Sequence, residues 1–399
     1  VFTEQEIAEA ASKATQPNLA DARWIRMHVA NLMGEQDMGV GFISGDFTVS
    51  PLGVLTPGGC GYYRCILPML VCGQKAHAGR VAWDPIRGFG IRDTNTTGVF
   101  GFSTIVLKLM MDRWIPRQIE LAQQLGQKII VDIDDYFEGL TPANKAYIDT
   151  HPESNKRTNR DYYQEVIAKA DAVTVSTPFL LDHYEKQRNN VHMVRNGVNP
   201  NQFPKVTHSK RKPVLGWTGA TSYRNNDLEQ LQAWLPQFLE RHDLMIHHAG
   251  HSNNAPAFAE ITGVQPHRVT TTPLVPINDY PSGFQFDIGI VPLNDIPFNH
   301  AKSNIKGLEY AAANIPFVAS DVPEYRLLHE DGVGHIARTP EEWVNQMEHL
   351  LVFQTRKQEA ARSYQIVVDR WSIEARAKDW QAVFNAYGKT PQPQGTLGR

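Results

Sequence analysis

Between Phe286 and Ala313 the chain gathers a lysine, a serine, an asparagine and a glutamate around one passage from strand to helix. The run Phe286-Asp287-Ile288-Gly289-Ile290-Val291-Pro292-Leu293 reads as a strand, and a polar loop follows it. That loop delivers Lys302, Ser303, Asn304 and Ile305 to a helix start. The first turn of a helix has free N–H groups and the positive end of the dipole, a combination that binds phosphate. Lys302 adds charge, and Ser303 can cap the helix or donate a hydrogen bond. Glu309, about two turns in, could accept hydrogen bonds from a ribose diol. A plainer account makes Ser303 only an N-cap and Glu309 a solvated helix residue, and local chemistry favours neither.

Other segments offer related chemistry. Leu215-Gly216-Trp217-Thr218-Gly219-Ala220-Thr221-Ser222-Tyr223-Arg224 runs from strand into a loop of small residues. Gly219 lets a ligand approach the backbone, and Arg224 can pair with phosphate oxygens, although an ordinary turn with a surface arginine reads the same way. Thr56-Pro57-Gly58-Gly59-Cys60-Gly61-Tyr62-Tyr63-Arg64 lacks the lysine and spacing of a P-loop. Its glycines, Gly59 and Gly61 among them, could wrap an anionic or sugar ligand or simply form a connector. Val131-Asp132-Ile133-Asp134-Asp135 places three acids at a strand end. They could bind a divalent cation, brace a loop or, through a carboxylate such as Asp134, contact sugar hydroxyls. His247-His248-Ala249-Gly250-His251 suggests zinc, but strand geometry sends His247 and His248 to opposite faces. His248 is better placed to line a nucleotide pocket. No residue is assigned to metal, and a required metal cofactor is not expected.

These segments need a scaffold, and the apolar runs supply it. Strand candidates at 38–43, 80–83, 103–109, 128–132 and 172–175 alternate with helix candidates at 61–73, 115–126 and 158–170. After a basic, breaker-rich stretch the rhythm restarts, with strands at 214–217, 244–247, 287–292 and 317–319 and helices at 226–241, 303–313, 341–352 and 356–388. Continuous β-branched strands separated by helices predict parallel sheets covered on both faces. The fold class is therefore α/β, with two Rossmann-like doubly wound domains facing a cleft. Ligands of such sheets bind at the carboxyl ends of strands. The expected division is a helical extension (1–36), a first Rossmann-like domain (37–204), a linker (205–213), a second Rossmann-like domain (214–370), a last helix (371–389) and a disordered tail (390–399).

Composition agrees with a globular chain of more than one core: 399 residues, 42% hydrophobic and 20% charged. A net charge of -3 excludes a polyanion-binding surface as the organising feature, and no nucleic-acid partner is expected. Cys60, Cys65 and Cys72 match no zinc spacing and read as reduced thiols. No apolar run is long enough to cross a bilayer, and a cytoplasmic location is expected.

Together the quoted stretches resemble the GT-B glycosyltransferases, in particular the retaining group called glycosyltransferase family four. The likeness runs from about residue 38 onward and is tightest over 214–325. Val131–Asp135 and Gly58–Arg64 are similar to segments of a subgroup found in bacterial and phage genomes. The resemblance implies that the first domain (37–204) takes the acceptor, that the second (214–370) takes the donor, and that the helix near Trp380 (371–389) crosses back to the first domain. It places Arg224 at a phosphate-binding lysine and Glu309 at the ribose-binding second glutamate of a paired-glutamate motif. Ser303, Asn304 and Ile305 would then lie near the diphosphate and sugar, and Gly58–Gly61 near the donor phosphates and the acceptor. The first glutamate of the motif falls at Ala301 and another phosphate-binding basic residue at Gly219; Lys302 would compensate in part. The implied donor is a nucleoside diphosphate sugar, with uridine or guanosine as base. The implied acceptor is a hydroxyl of a protein, polysaccharide or small glycoside. Arg224 and Lys302 would stabilise the leaving phosphate, which could itself take the acceptor's proton. Two rivals stand beside transfer: a sugar-nucleotide-binding or virion-assembly protein whose catalysis has been lost, and a sugar-nucleotide epimerase.

Overall fold

Strands that are apolar on both faces need cover on both sides, and the chain builds two sheets that meet this demand. The computed structural model describes residues 39–49, 55–73, 75–92, 99–151, 153–154, 158–222 and 225–387. The expected extension (1–36), the expected tail (390–399) and Arg224 lie outside them.

The first lobe contains β1 (Val40–Ser44), β2 (Phe47–Val49), β3 (Leu55–Pro57), β4 (Ala76–Asp84), β5 (Gly88–Arg92), β6 (Val99–Gly101), β7 (Thr104–Lys108), β8 (Lys128–Ile133), β9 (Ala172–Val175) and β10 (Val191–Met193). Its eight-stranded sheet has the order β10-β9-β8-β7-β1-β4-β5-β6. The expectation of a wholly parallel sheet needs correction here. β5 and β6 join antiparallel, because the three-residue connection between β4 and β5 allows a hairpin but no helical crossover. β2 and β3 form a separate antiparallel pair.

The second lobe contains β11 (Val214–Thr218), β12 (Met245–His251), β13 (Val269–Pro273), β14 (Ile288–Val291), β15 (Phe317–Ser320) and β16 (His335–Ala337). All are parallel, in the order β13-β12-β11-β14-β15-β16. This is the 3-2-1-4-5-6 order of a doubly wound sheet, and its strand order reverses between β11 and β14. The first sheet reverses between β1 and β7.

Three expected helices are more broken than anticipated. The 61–73 segment holds a π turn over Tyr62–Ile66 before the helix Leu67–Val71. The 226–241 segment is a 3-10 stretch, Glu229–Ala233, followed by the helix Leu235–His242, because Pro236 must occupy a first helical turn. The 356–388 segment divides into Phe353–Ile366, a π turn Val367–Trp371 and Ile373–Tyr387.

The last of these helices crosses to the first lobe. Trp380, Val383 and Phe384 are buried in the same core as Phe42, Met69, Val106 and Ile130. The Trp380 ring meets Phe42 edge-on at 5.1 Å. Where the chain crosses, Val198 N–H donates to Trp371 O (3.0 Å) and Ile373 N–H donates to Val198 O (2.7 Å). Among the described residues no helix is long and apolar enough to cross a membrane.

Candidate functional site

The two lobes meet through Tyr63 and Glu309, Asn196 and Ser303, and Thr177 and Ala301, and each carries polar side chains near its strand ends. In the first lobe these are mostly charged and mutually paired. Arg64, 1% exposed, donates from Nε and Nη2 to Asp132 (2.9 and 2.5 Å) and from Nη1 to Val194 O and Asn196 Oδ1. Lys108 pairs with Asp134. Burial penalises the Asp134 charge, yet the Lys108 ammonium and a hydrogen bond from it hold this carboxyl below its usual range. Burial and the neighbouring Asp134 push Asp135 the other way. Oxygens of Asp134 and Asp135 and Cys60 Sγ lie within 4.8 Å of one another. A cation there would compete with Lys108 for Asp134. The three cysteines are free thiols.

The glycine loop is anchored rather than open. Gly61 N–H donates to Asp46 Oδ2 (2.9 Å) and Gly58 N–H to Asp46 O (2.9 Å). A Cβ at Gly58 would sit 2.0 Å from Asp46 Oδ1, whereas Gly59 faces open space. Of the expected ligand-facing glycines, Gly59 is therefore the accessible one.

In the second lobe the centre is Glu309, on the helix Ile305–Ala312. It is 4% exposed, so it is not the solvated helix residue that local chemistry allowed. Tyr63 Oη, from the first lobe, donates to its Oε1 (2.5 Å), and Tyr280 Oη donates to its Oε2 (3.0 Å). Tyr280 Oη is also 2.8 Å from Thr218 Oγ1 at the end of β11. Lys306, one turn before Glu309 on the same face, donates to Thr218 O and Oγ1. Burial raises the Glu309 carboxyl above its usual range, against the pull of Lys306 and the two tyrosines.

The remaining expected residues take specific places. The Ser303 hydroxyl accepts from Asn196 Nδ2 (2.9 Å), so it bridges the lobes and is not the N-cap. Asn304 occupies the cap position without a side-chain cap bond and donates to Glu324 O (3.3 Å). Ile305 opens the helix and is half-buried. Lys302 is half-buried with Nζ 5.0 Å over the Phe298 ring. Ala301 is fully buried, and its carbonyl accepts from Thr177 Oγ1 (3.0 Å). Gly219 has φ +126°, a backbone that disfavours any side chain. His248 is fully buried between Trp217 and Phe258 and donates from Nε2 to Gly219 O (2.9 Å). Burial pushes this imidazole down to about 4, so it is neutral at pH 7. It braces Gly219 from behind instead of lining the cleft. A cavity of about 180 Å3 opens beside the loop after β11, lined by Lys145, Thr221, Ser222 and Asn226 among others, and does not include Glu309.

Sequence reasoning missed Tyr63, Tyr280 and Lys306 around Glu309, and Thr218, which bonds to Tyr280 and Lys306. Lys306 had a readable signal, its i,i+3 spacing from Glu309. The tyrosines had none, being separated from Glu309 by 246 and 29 residues.

Residues 212–352 match the family model "Glycosyl transferases group 1". No curated protein matches the chain by sequence. The fold is similar to sucrose-phosphate synthase from Thermosynechococcus elongatus, at TM-score 0.60 and 14% identity over 87% of this chain and 98% of that one. It is similar to Anabaena HepE, solved with UDP and glucose, at TM-score 0.58 and 12% identity over 88% and 100% of the two chains. A glycosyltransferase from Rickettsia africae aligns at TM-score 0.52 and 13% identity over 71% and 76%. Residues 212–352 are thus similar to group 1 glycosyltransferases, and the chain as a whole has the GT-B fold of two Rossmann-like lobes.

Proposed function

We propose that this chain transfers a sugar from a nucleoside diphosphate sugar to an acceptor hydroxyl, with retention at the anomeric carbon. The observation that carries the reading is the buried Glu309 carboxylate, each of whose oxygens meets one hydroxyl. A vicinal ribose diol makes the same demand on a carboxylate. Binding would exchange the Tyr63 hydroxyl, and the Tyr280 hydroxyl where needed, for those of the ribose. The diphosphate would then lie over the amides that open the helix at Ile305, beside Ser303 and Lys302. Lys302 and Arg224 would stabilise charge on the leaving phosphate. Developing charge of this kind is where fixed dipoles and cations lower a barrier most. Asp134, on the opposite lobe, would face the acceptor or the sugar hydroxyls. Gly219 supplies backbone at close range. No group beyond the donor is required, and the acceptor is a hydroxyl of a protein, polysaccharide or small glycoside.

UDP-sugars are the first donors to test, because HepE was solved with UDP and glucose; GDP-sugars follow. Incubation with a donor panel should release free nucleotide, read by mass spectrometry, and Lys302→Ala should slow that release. Wild-type rates in Lys302→Ala and Arg224→Ala alike would remove the phosphate clamp.

A second reading, a sugar-nucleotide binder without turnover, draws support from Ala301 and from the protein contacts that occupy Ser303 and Glu309. Calorimetry beside the turnover assay separates the two: saturable nucleotide binding without transfer or hydrolysis would favour it.

A further inference from the structure

Away from the cleft, two histidines and a glutamate converge from three successive elements. His335 opens β16, His349 lies in the last turn of the helix Pro340–Leu351, and Glu359 lies on Phe353–Ile366. Their ligating atoms all fall within 4.8 Å of one another. His335 Nε2 stands 3.8 Å from Glu359 Oε2, beyond hydrogen-bond reach. That nitrogen is buried and has no hydrogen-bond partner. The His335 and His349 rings lie 5.6 Å apart, nearly perpendicular.

A buried polar atom without a partner costs free energy, and native structures contain few of them. Here the orphan faces a second imidazole and a carboxylate across a gap too wide for direct contact. A cation would fill that gap. We propose that His335, His349 and Glu359 form a binding site for one divalent transition-metal ion of the zinc class, with water completing the coordination. Two imidazoles and a carboxylate suit zinc far better than magnesium or calcium, which favour oxygen ligands throughout. With metal–ligand bonds of about 2.0–2.1 Å, the edges of a tetrahedral site are about 3.3–3.4 Å. The 3.8 Å pair must close by roughly 0.5 Å, and a pair at the 4.8 Å limit by roughly 1.4 Å. His349 is exposed, so the adjustment would fall on its side chain. Glu359 also pairs with Arg362, so the metal competes with a guanidinium for this carboxylate.

The site would have a mechanical role distinct from sugar transfer. The helix bearing Glu359 leads into the turn Val367–Trp371 and the helix that crosses to the first lobe. A bound ion would fasten the start of that crossing to the edge strand β16.

The test uses the full chain stripped with a chelator and titrated with cobalt(II), then zinc(II). One equivalent of cobalt should give the visible absorption of a four-coordinate ion, and zinc should abolish it. Saturating zinc should raise Tm by about 3 °C or more. His349→Ala, at an exposed position, should leave the metal-free Tm unchanged and weaken binding at least tenfold; Glu359→Gln should weaken it as well. Arg362→Gln should tighten it severalfold. The proposal falls if the wild-type chain binds no equivalent of cobalt, or if the absorption survives in His349→Ala. It also falls if the absorption disappears in His251→Ala, which would assign the ion to the His247–His251 strand.

Discussion

The two lobes solve one topological problem with opposite electrostatics. Each is a doubly wound sheet with polar groups at the point where strand order reverses. In the first lobe, Arg64–Asp132 and Lys108–Asp134 are ion pairs closed within the lobe. In the second, one carboxylate meets Tyr280 and a tyrosine borrowed from its neighbour, with Lys306 nearby and Thr218 behind Tyr280 and Lys306. Paired charges present little to a ligand, whereas hydroxyls around a single carboxylate can be exchanged for those of a sugar. On the proposed reading the first crevice would be the more rigid and the second would hold the nucleotide, and four perturbations would break or sharpen the contrast.

The largest effect is expected at Arg64. Arg64→Ala strands the Asp132 charge in a buried site, at a cost of about 3–5 kcal/mol of folding stability, measurable by urea denaturation. A loss under 1 kcal/mol would mean that the first crevice is not held by this pair. Next comes Lys302→Ala, which should reduce transfer by about 2.7–4 kcal/mol of transition-state stabilisation with little change in Tm. A fall in stability without a fall in rate would give Lys302 the structural part that the first lobe's lysine plays.

The scaffold was far easier to read in the sequence than this contrast. Ile129-Ile130-Val131 and Ala172-Val173-Thr174-Val175 announce themselves because strands covered on both faces are apolar throughout. β13, Val269-Thr270-Thr271-Thr272-Pro273, is an edge strand with mostly exposed or half-exposed residues, so it carries no apolar signal. β5 is rich in glycine, and β16 is three residues long. In the site, Ser303 and Glu309 were legible because strand, loop and helix are contiguous. Their actual partners, Asn196 and Tyr63, arrive from the other lobe through tertiary packing that no local pattern encodes.

Tyr63→Phe tests the borrowed tyrosine. It should cost about 0.5–1.5 kcal/mol of stability, and calorimetry should show tighter nucleotide binding, since Glu309 Oε1 no longer exchanges a protein hydroxyl. Weaker binding would mean that Tyr63 itself holds the ligand. The smallest effect is in pH dependence, and its sign differs between the lobes. The lowered Asp134 carboxyl contributes stability above the ordinary carboxylate range, and that stability is lost as pH falls through its folded value. The raised Glu309 carboxyl does the reverse: the native state holds this proton more tightly, so its contribution improves as pH falls through the raised value. Relative to wild type, Asp134→Asn should therefore lose its disadvantage only as pH falls below the ordinary carboxylate range, while Glu309→Gln should lose any advantage it has already in mild acid. Parallel pH profiles would erase the distinction.

The crossing helix has a consequence for biosynthesis. Trp380, Val383 and Phe384 complete a core begun at Val40 and Phe42. At ribosomal speeds of about 5–20 residues per second, the interval between these two sets is roughly 17–70 s. The lobe that is translated first thus waits with an apolar face uncovered until residues 380–384 emerge, while the lobe translated second has its own sheet ready sooner. Nascent chains halted before residue 373 should therefore engage chaperones through their earlier half, the opposite of the order in which most multidomain chains mature.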